Sequence, residues 1–93
     1  MLKGNLMRAV LCTEFGPPEK LVIEDIPVPK PSQKQVRIKI EACGVNFPDT
    51  LIIENKYQYK PDLPFSPGGE VAGIIDELGD GVTNYSIGDK VMA

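Results

Sequence analysis

The chain offers few side chains that could do chemistry in pairs or groups. It contains no His, so neither a Ser-His-Asp nor a Cys-His catalytic arrangement can form within it. The commonest protein ligand of transition metals is missing for the same reason. Asp76 and Glu77 are adjacent carboxylates. Because neighbouring side chains on a strand point to opposite faces, we do not expect these two to work as an acid/base pair.

The densest glycine cluster, Gly68-Gly69-Glu70-Val71-Ala72-Gly73, does not predict a phosphate-binding loop. It lacks the G-x-G-x-x-G spacing, and no Lys-Ser or Lys-Thr follows it. It also leads into a predicted strand, whereas phosphate loops lead into a helix N-terminus. The chain therefore carries no nucleotide-binding motif of its own, and Gly68 and Gly69 are better explained by a tight turn.

The cysteines, the apolar runs and the net charge limit which cellular compartment and which partners we expect for the protein. Cys12 and Cys43 are too few for a zinc site, and each lies in an apolar segment, which predicts buried thiols in a reducing, cytoplasmic compartment. No apolar run approaches the ~20 residues of a membrane span, and no signal peptide opens the chain. The formal net charge of −3 argues against a nucleic-acid partner.

The elements that must position these residues are short strands separated by turns. The chain contains nine Gly and nine Pro in 93 residues, spread along its length at predicted turns. This distribution favours a β-rich fold of short strands. Apolar patterning predicts strands over residues 6–12, 21–26, 34–42, 70–78 and 90–92. The third strand alternates apolar and polar residues and should be half-buried, whereas the prolines after the second strand make it an edge.

The segments between the strands also carry signals. A short helix is predicted over residues 46–54, with Asn46 near its N-cap and Pro48 in its first turn. Residues 56–69 resemble a loop. Gly73 permits a bend or a close backbone approach within its strand, and Asp80-Gly81 predicts a hairpin turn.

Several ordered segments resemble the N-terminal part of the medium-chain dehydrogenase/reductase superfamily, in its zinc-independent quinone oxidoreductase (zeta-crystallin-like) branch. The matching strings are ACGVNFPDT, PFSPGGEVAG, GVTNYSIGDKV and the opening run MRAVLCTEFGPPEKLVIEDIPVP. The resemblance covers residues 7–93 and leaves residues 1–6 as an extension. It implies a mainly β, GroES-like, partly open β-barrel with one short helix. This would be an incomplete, truncated catalytic domain that lacks the family's Rossmann cofactor domain.

The resemblance also implies site residues. Asn46 matches a family Asn near the nicotinamide ribose and is the expected catalytic and cofactor-binding residue, and Tyr57 matches a Tyr at the substrate mouth. Asp49 and Glu70 match retained acidic residues expected to orient their neighbours. Simpler structural roles stay open: Asn46 as a helix cap, Tyr57 as a half-buried surface aromatic, and the two carboxylates as structural hydrogen-bond acceptors.

No metal is expected. In zinc-dependent relatives a ligand Cys falls on Asn46, a proton-relay hydroxyl on Pro48, and a ligand His on Gly69. Two ligands and the relay are therefore absent together, and the remaining amide and carboxylate cannot form a tetrahedral catalytic zinc site alone.

The implied activity is hydride transfer from NADPH to a quinone or an α,β-unsaturated carbonyl. The missing domain would hold most of the cofactor, so we expect the isolated chain to be inactive. The family also implies a homo-oligomer. Two alternatives remain: an alcohol dehydrogenase or enoyl reductase homologue, and a stand-alone β-barrel interaction module whose final strand is completed by a partner.

Overall fold

The structure, a computed structural model, describes residues 6–93, so most of the predicted extension over residues 1–6 lies outside the described residues. The chain divides into two compact units, described separately below. The first contains residues 6–28 with Val45–Gly68, and the second contains Pro29–Gly44 with Gly69–Ala93. The prediction of a mainly β chain with one short helix is confirmed.

The first unit contains a two-stranded antiparallel sheet of β1, Leu6–Leu11, and β2, Val22–Pro27. Both strands are edges, as the prolines after β2 predicted. Pro27 closes the ladder opposite Leu6, an edge position where its missing N–H is tolerated. The Gly16-Pro17-Pro18 sequence lies in the connection between β1 and β2. A single turn of 3-10 helix, Pro18–Lys20, begins at its last residue.

The core of this unit gathers around Cys12. Leu11, Cys12 and Ile53 are buried, and Cys12 exchanges two backbone hydrogen bonds with Phe65, of 2.8 and 3.2 Å. The Ser66 hydroxyl donates to the Val10 carbonyl at 2.7 Å. The predicted loop over residues 56–69 is confirmed as lacking regular strand and helix, and these bonds attach its far end to β1.

The helix of this unit, α1, spans Phe47–Ile52 and is shorter than predicted at both ends. Asn46 takes an extended conformation and becomes the N-cap. Glu54 falls in a turn because Asn55 adopts a left-handed φ of 62°, which ends the helix. Within residues 6–93, no helix has the length or apolar character to cross a bilayer.

The second unit is a three-stranded antiparallel sheet in the order β3-β4-β5. The strands are β3, Val36–Gly44, β4, Glu70–Leu78, and β5, Lys90–Met92. The predicted bounds of β4 are confirmed, whereas β3 starts and ends two residues later than predicted. Ile75 on the central strand is buried. Ala93 continues the pairing beyond β5 by exchanging two 2.9 Å hydrogen bonds with Val71.

Two irregularities interrupt the ladder between β3 and β4. Arg37 pairs with Glu77 but Ile38 pairs with Ile75, which leaves Asp76 as an extra residue on β4. Ile40 pairs with Gly73 but Ala42 pairs with Ala72, which leaves Glu41 as an extra residue on β3. Each is a β-bulge, in which two residues of one strand oppose one of the other. The two extra residues lie on opposite strands, so the two register shifts cancel. Both ends of the ladder therefore have the same register.

The bulge at Asp76 overturns one expectation. Asp76 and Glu77 do not act on separate faces, because both oppose Arg37 and contact its guanidinium. Arg37 Nε lies 2.8 Å from Asp76 Oδ1, and Nη2 lies 3.1 Å from Glu77 Oε1. Its Nη1 donates to the Pro29 carbonyl at 3.1 Å. Hydrogen bonding to Asp76 raises the pKa of Arg37. The cluster therefore joins β3, β4 and the proline-rich connector, and Arg37 is not a merely solvated side chain.

Two further expectations need correction. Asp80 and Gly81 do form a turn, but β4 and β5 are joined by the whole stretch of residues 79–89 rather than by a two-residue hairpin. Backbone bonds from Lys34 N–H to Asp80 O and from Gly79 N–H to Gln35 O, both 2.7 Å, hold that turn against the start of β3 instead. Cys43 is exposed and not buried, because it lies in the stretch of β3, residues 39–43, that is exposed throughout.

Candidate functional site

Asn46 lies at the start of α1, in the first unit. It forms the N-cap of a capping box with Asp49 at position N3. The backbone N–H of Asn46 donates to Asp49 Oδ2 at 2.9 Å, and the Asn46 side chain accepts from the Asp49 N–H. The Asp49 N–H also lies 3.0 Å from the backbone carbonyl oxygen of Asn46. Pro48 suits the first turn because its missing N–H needs no partner there. Asp49 therefore fixes the backbone that presents Asn46.

The surroundings of Asn46 are apolar and open. Its two neighbours in sequence, Val45 and Phe47, are 84% and 74% exposed, and Asn46 itself is exposed. Exposed Val and Phe on both sides of one amide resemble the lining of a small-molecule site, in which a few polar groups orient a ligand within an apolar surface. Sequence analysis selected Asn46 but missed these flanking residues, although the run Val45-Asn46-Phe47 carried the signal.

Tyr57 lies beyond the other end of the same helix. The Lys56 N–H donates to the Leu51 carbonyl at 2.9 Å, and the Asn55 N–H donates to the Ile52 carbonyl at 3.1 Å. With Asn55 in the left-handed region, these bonds form a Schellman motif that ends the helix. Tyr57 follows this motif and is half-buried. Asn46 and Tyr57 therefore stand beyond opposite ends of a helix about 9 Å long.

Glu70 belongs to the second unit and is described with it. It is the exposed first residue of β4 and pairs with Gly44 of β3. It borders a depression of about 410 Å³ that sequence analysis did not anticipate. The depression is lined by small and apolar residues, namely Ala42, Gly44, Val71, Ala72, Met92 and Ala93. The small residues Ala42 and Ala72 face each other across the ladder, which is the pattern that could have predicted it.

The ionisable groups of residues 6–93 do not assemble into a metal site. No three His, Cys, Asp or Glu side chains in this part of the chain come together in a group that could hold a metal ion. Both cysteines are free. The Cys12 thiol donates to the Glu14 carbonyl at 3.2 Å, and burial raises its pKa. Cys12 is therefore a core residue and not a reactive one.

Comparison with known proteins identifies the fold that holds these residues. Residues 32–93 match the alcohol dehydrogenase GroES-like domain family. The chain belongs to this family. The GroES-like character expected from the sequence is thereby confirmed, and the mainly β architecture with open sheets agrees with it.

Several relatives of this chain are quinone oxidoreductases. Quinone oxidoreductase of Rattus norvegicus is 51% identical over 89 residues, which cover 95% of the chain and 27% of that protein. Among solved structures, the human synaptic vesicle membrane protein VAT-1 homolog-like protein superposes with a TM-score of 0.89 at 40% identity, covering 95% of the chain and 28% of the other.

A bacterial relative was solved with a nicotinamide cofactor. Escherichia coli quinone oxidoreductase complexed with NADPH superposes with a TM-score of 0.86 at 31% identity, covering 92% of the chain and 26% of that protein. The GroES-like domain thus spans about a quarter of the length of the relatives that it matches. These similarities place the chain in the medium-chain dehydrogenase/reductase superfamily.

Proposed function

We propose that the complete protein, meaning the whole polypeptide that its gene encodes, is a zinc-independent oxidoreductase that uses NADPH to reduce a quinone or an α,β-unsaturated carbonyl. The observation that carries this proposal is the 51% identity to a quinone oxidoreductase over nearly all of the chain. The NADPH-bound relative from E. coli supports the choice of cofactor. The chain would form the substrate side of a larger enzyme, in residues 7–93.

The residues of this chain fit a minor share in cofactor binding. Asn46 presents an exposed amide, which can both donate and accept a hydrogen bond, as a ribose hydroxyl requires. The exposed Val45 and Phe47 beside it suit the flat nicotinamide or quinone ring. The chain has no glycine-rich phosphate loop, so a further domain must hold the rest of the cofactor. When bound, NADPH supplies the hydride.

The other proposed site residues act on the acceptor and on geometry. The Tyr57 ring can stack on a flat quinone while its hydroxyl donates a hydrogen bond to an acceptor oxygen. Asp49 holds Asn46 through the 2.9 Å capping bond, and Glu70 would orient groups around the depression in the second unit. We propose that the reaction takes place in the cytoplasm, where thiols such as Cys12 and Cys43 stay reduced.

The residues at the zinc-ligand positions of the family support the proposal of zinc independence. Asn46 and Gly69 occupy the places where zinc-dependent relatives have Cys and His, and neither can replace those ligands. The complete protein should therefore reduce a benzoquinone with NADPH at the same rate before and after treatment with a zinc chelator. Lack of turnover with both quinones and enones, or loss of activity on chelation, would contradict the proposal.

Asn46 has to be tested without disturbing its helix. Asn46→Ser keeps a good N-cap but removes the amide, so we expect the melting temperature to hold while kcat/KM falls roughly tenfold, the effect of one lost hydrogen bond of about 1.4 kcal/mol. Asp49→Ala is the comparison variant: it removes the carboxylate that accepts from the Asn46 N–H and keeps the amide, so it should lower the melting temperature more than Asn46→Ser does. Equal losses of stability and activity in Asn46→Ser would assign Asn46 a capping role only.

A further inference from the structure

The loop that carries Tyr57 is closed by a single lysine. Lys60 Nζ donates to the Asn55 carbonyl oxygen at 3.0 Å and to Asn55 Oδ1 at 3.1 Å. Tyr57 lies between these two residues. The bonds therefore join the ends of a six-residue loop, residues 55–60, which contains the tyrosine that we propose for substrate contact.

The first residues of the 55–60 loop are already held by the helix. Asn55 and Lys56 donate their N–H groups to the Ile52 and Leu51 carbonyls, so the chain enters the loop in a fixed direction. Lys60 fixes where it leaves. Asn suits this position because it tolerates the left-handed backbone, here φ 62°, while its side chain supplies a second acceptor. Asn55 therefore ends the helix and also receives Lys60.

A loop ordered in advance has a consequence for binding. A free tyrosine loses rotational and backbone freedom when it stacks on a flat ligand, and that loss subtracts from affinity. A loop tied at both ends has less freedom left to lose. Lys60 is itself exposed and belongs to neither the core nor a strand, so its contacts serve the loop and little else.

We propose that Lys60 is a positioning residue, which orders the 55–60 loop so that Tyr57 meets the quinone or enone ring. This inference rests on the proposed function, because it assigns Lys60 an effect through Tyr57. It predicts that loss of the lysine weakens binding of the acceptor and leaves cofactor binding and turnover at saturation unchanged.

The test uses steady-state kinetics of the complete protein. Lys60→Met should raise KM for a benzoquinone about two- to threefold, with kcat and the KM for NADPH unchanged. Tyr57→Ala should raise the same KM roughly two- to tenfold, the range expected for a lost aromatic contact. Lys60→Arg, which can still donate, should restore most of the binding. Lys56→Met is the matched control, because Lys56 lies in the same loop but pairs with Glu54 at 2.9 Å.

A double variant separates positioning from an independent effect. In the Tyr57→Ala background, Lys60→Met should add nothing to KM, because the side chain that it positions is gone. Additive effects would overturn the proposal. So would an unchanged KM in Lys60→Met beside a raised KM in Tyr57→Ala.

Amide hydrogen exchange distinguishes failure of this inference from failure of the proposed function. If the complete protein reduces neither quinones nor enones, the proposed function falls, but exchange still reports on the loop. Faster exchange of residues 56–60 in Lys60→Met than in Lys56→Met would support the ordering role of Lys60. Equal exchange in the two variants would overturn it.

Discussion

The two cysteines show that the burial of a residue can differ from what its neighbours in the sequence predict. Both lie in apolar segments, and both were predicted to be buried. Cys12 is buried because it pairs with Phe65, far along the chain, whereas Cys43 lies in the exposed end of β3. Local hydrophobicity could not distinguish them, because Cys12 is covered through a long-range pairing, whereas Cys43 lies in a stretch of β3, residues 39–43, that is exposed throughout.

This difference predicts unequal thiol reactivity. In the folded protein, iodoacetamide should alkylate Cys43 at least tenfold faster than Cys12, because the thiolate is the nucleophile and burial both shields Cys12 and raises its pKa. Peptide mass spectrometry over a time course measures the two rates. If Cys43 and Cys12 were alkylated at comparable rates in the folded protein, and if the ratio of the two rates did not change on denaturation, the burial of Cys12 would be contradicted.

The raised pKa of Cys12 also predicts how stability depends on pH. The folded state keeps the thiol proton at pH values where the unfolded chain, with its ordinary value of 9.0, has lost it. The unfolded state is then favoured, so the contribution of Cys12 to stability is complete below that pH and declines as the pH rises above it. Urea midpoints on both sides of pH 9 should show this decline, and Cys12→Ala should remove it.

At the scale of elements, the packing of β4 against β3 leaves no room for a side chain at Gly73. A Cβ built on Gly73 would overlap the Lys39 carbonyl oxygen and crowd the Ile38 side chain. Gly73→Ala should therefore destabilise the protein by roughly 1–3 kcal/mol, a typical cost of overpacking. Gly69→Ala is the control, because a Cβ there meets nothing within 4 Å. Urea unfolding of both variants measures the difference, and equal midpoints would contradict the close approach.

Sequence patterning predicted the elements better than it predicted their pairing. The bounds of β4 were correct because the apolar residues of this strand lie between two glycine breaks, at Gly69 and Gly79. The bulges at Glu41 and Asp76 were not predicted, because a bulge depends on which residues of two strands face each other. For the same reason the contact of Arg37 with both Asp76 and Glu77 was missed, although each of the three charges was plain in the sequence.

At the scale of the whole molecule, only part of what we describe as the candidate site could be predicted from the sequence. The sequence predicted Asn46 and Asp49 at the start of a helix, and the structure joins them through the reciprocal hydrogen bonds of a capping box. It could not predict the 410 Å³ depression beside Glu70, because its walls come from three separate strands and from Ala93. The roles of Asn46, Tyr57, Asp49 and Glu70 in chemistry remain predictions until variants are measured.

The length of the relatives predicts what the 93 residues can do alone. The 89 matched residues make up 27% of the Rattus norvegicus quinone oxidoreductase, so that protein is about 330 residues long. We expect the protein from its native source to have an intact mass on the order of 35 kDa. The 93-residue chain alone should not oxidise NADPH in the presence of a benzoquinone. Clear turnover by the chain would show that no further domain is needed, and a native mass of 10.2 kDa would favour an interaction module.

The two bulges of β3 and β4 mark the places where a residue can be removed without shifting the sheet. Deleting Asp76 alone, or Glu41 alone, would remove one bulge and leave every remaining residue of the ladder opposite its present partner. Loss of Asp76 would also remove one of the two carboxylates that contact Arg37. A homologous gene could therefore lose either codon singly and keep the register of the whole ladder.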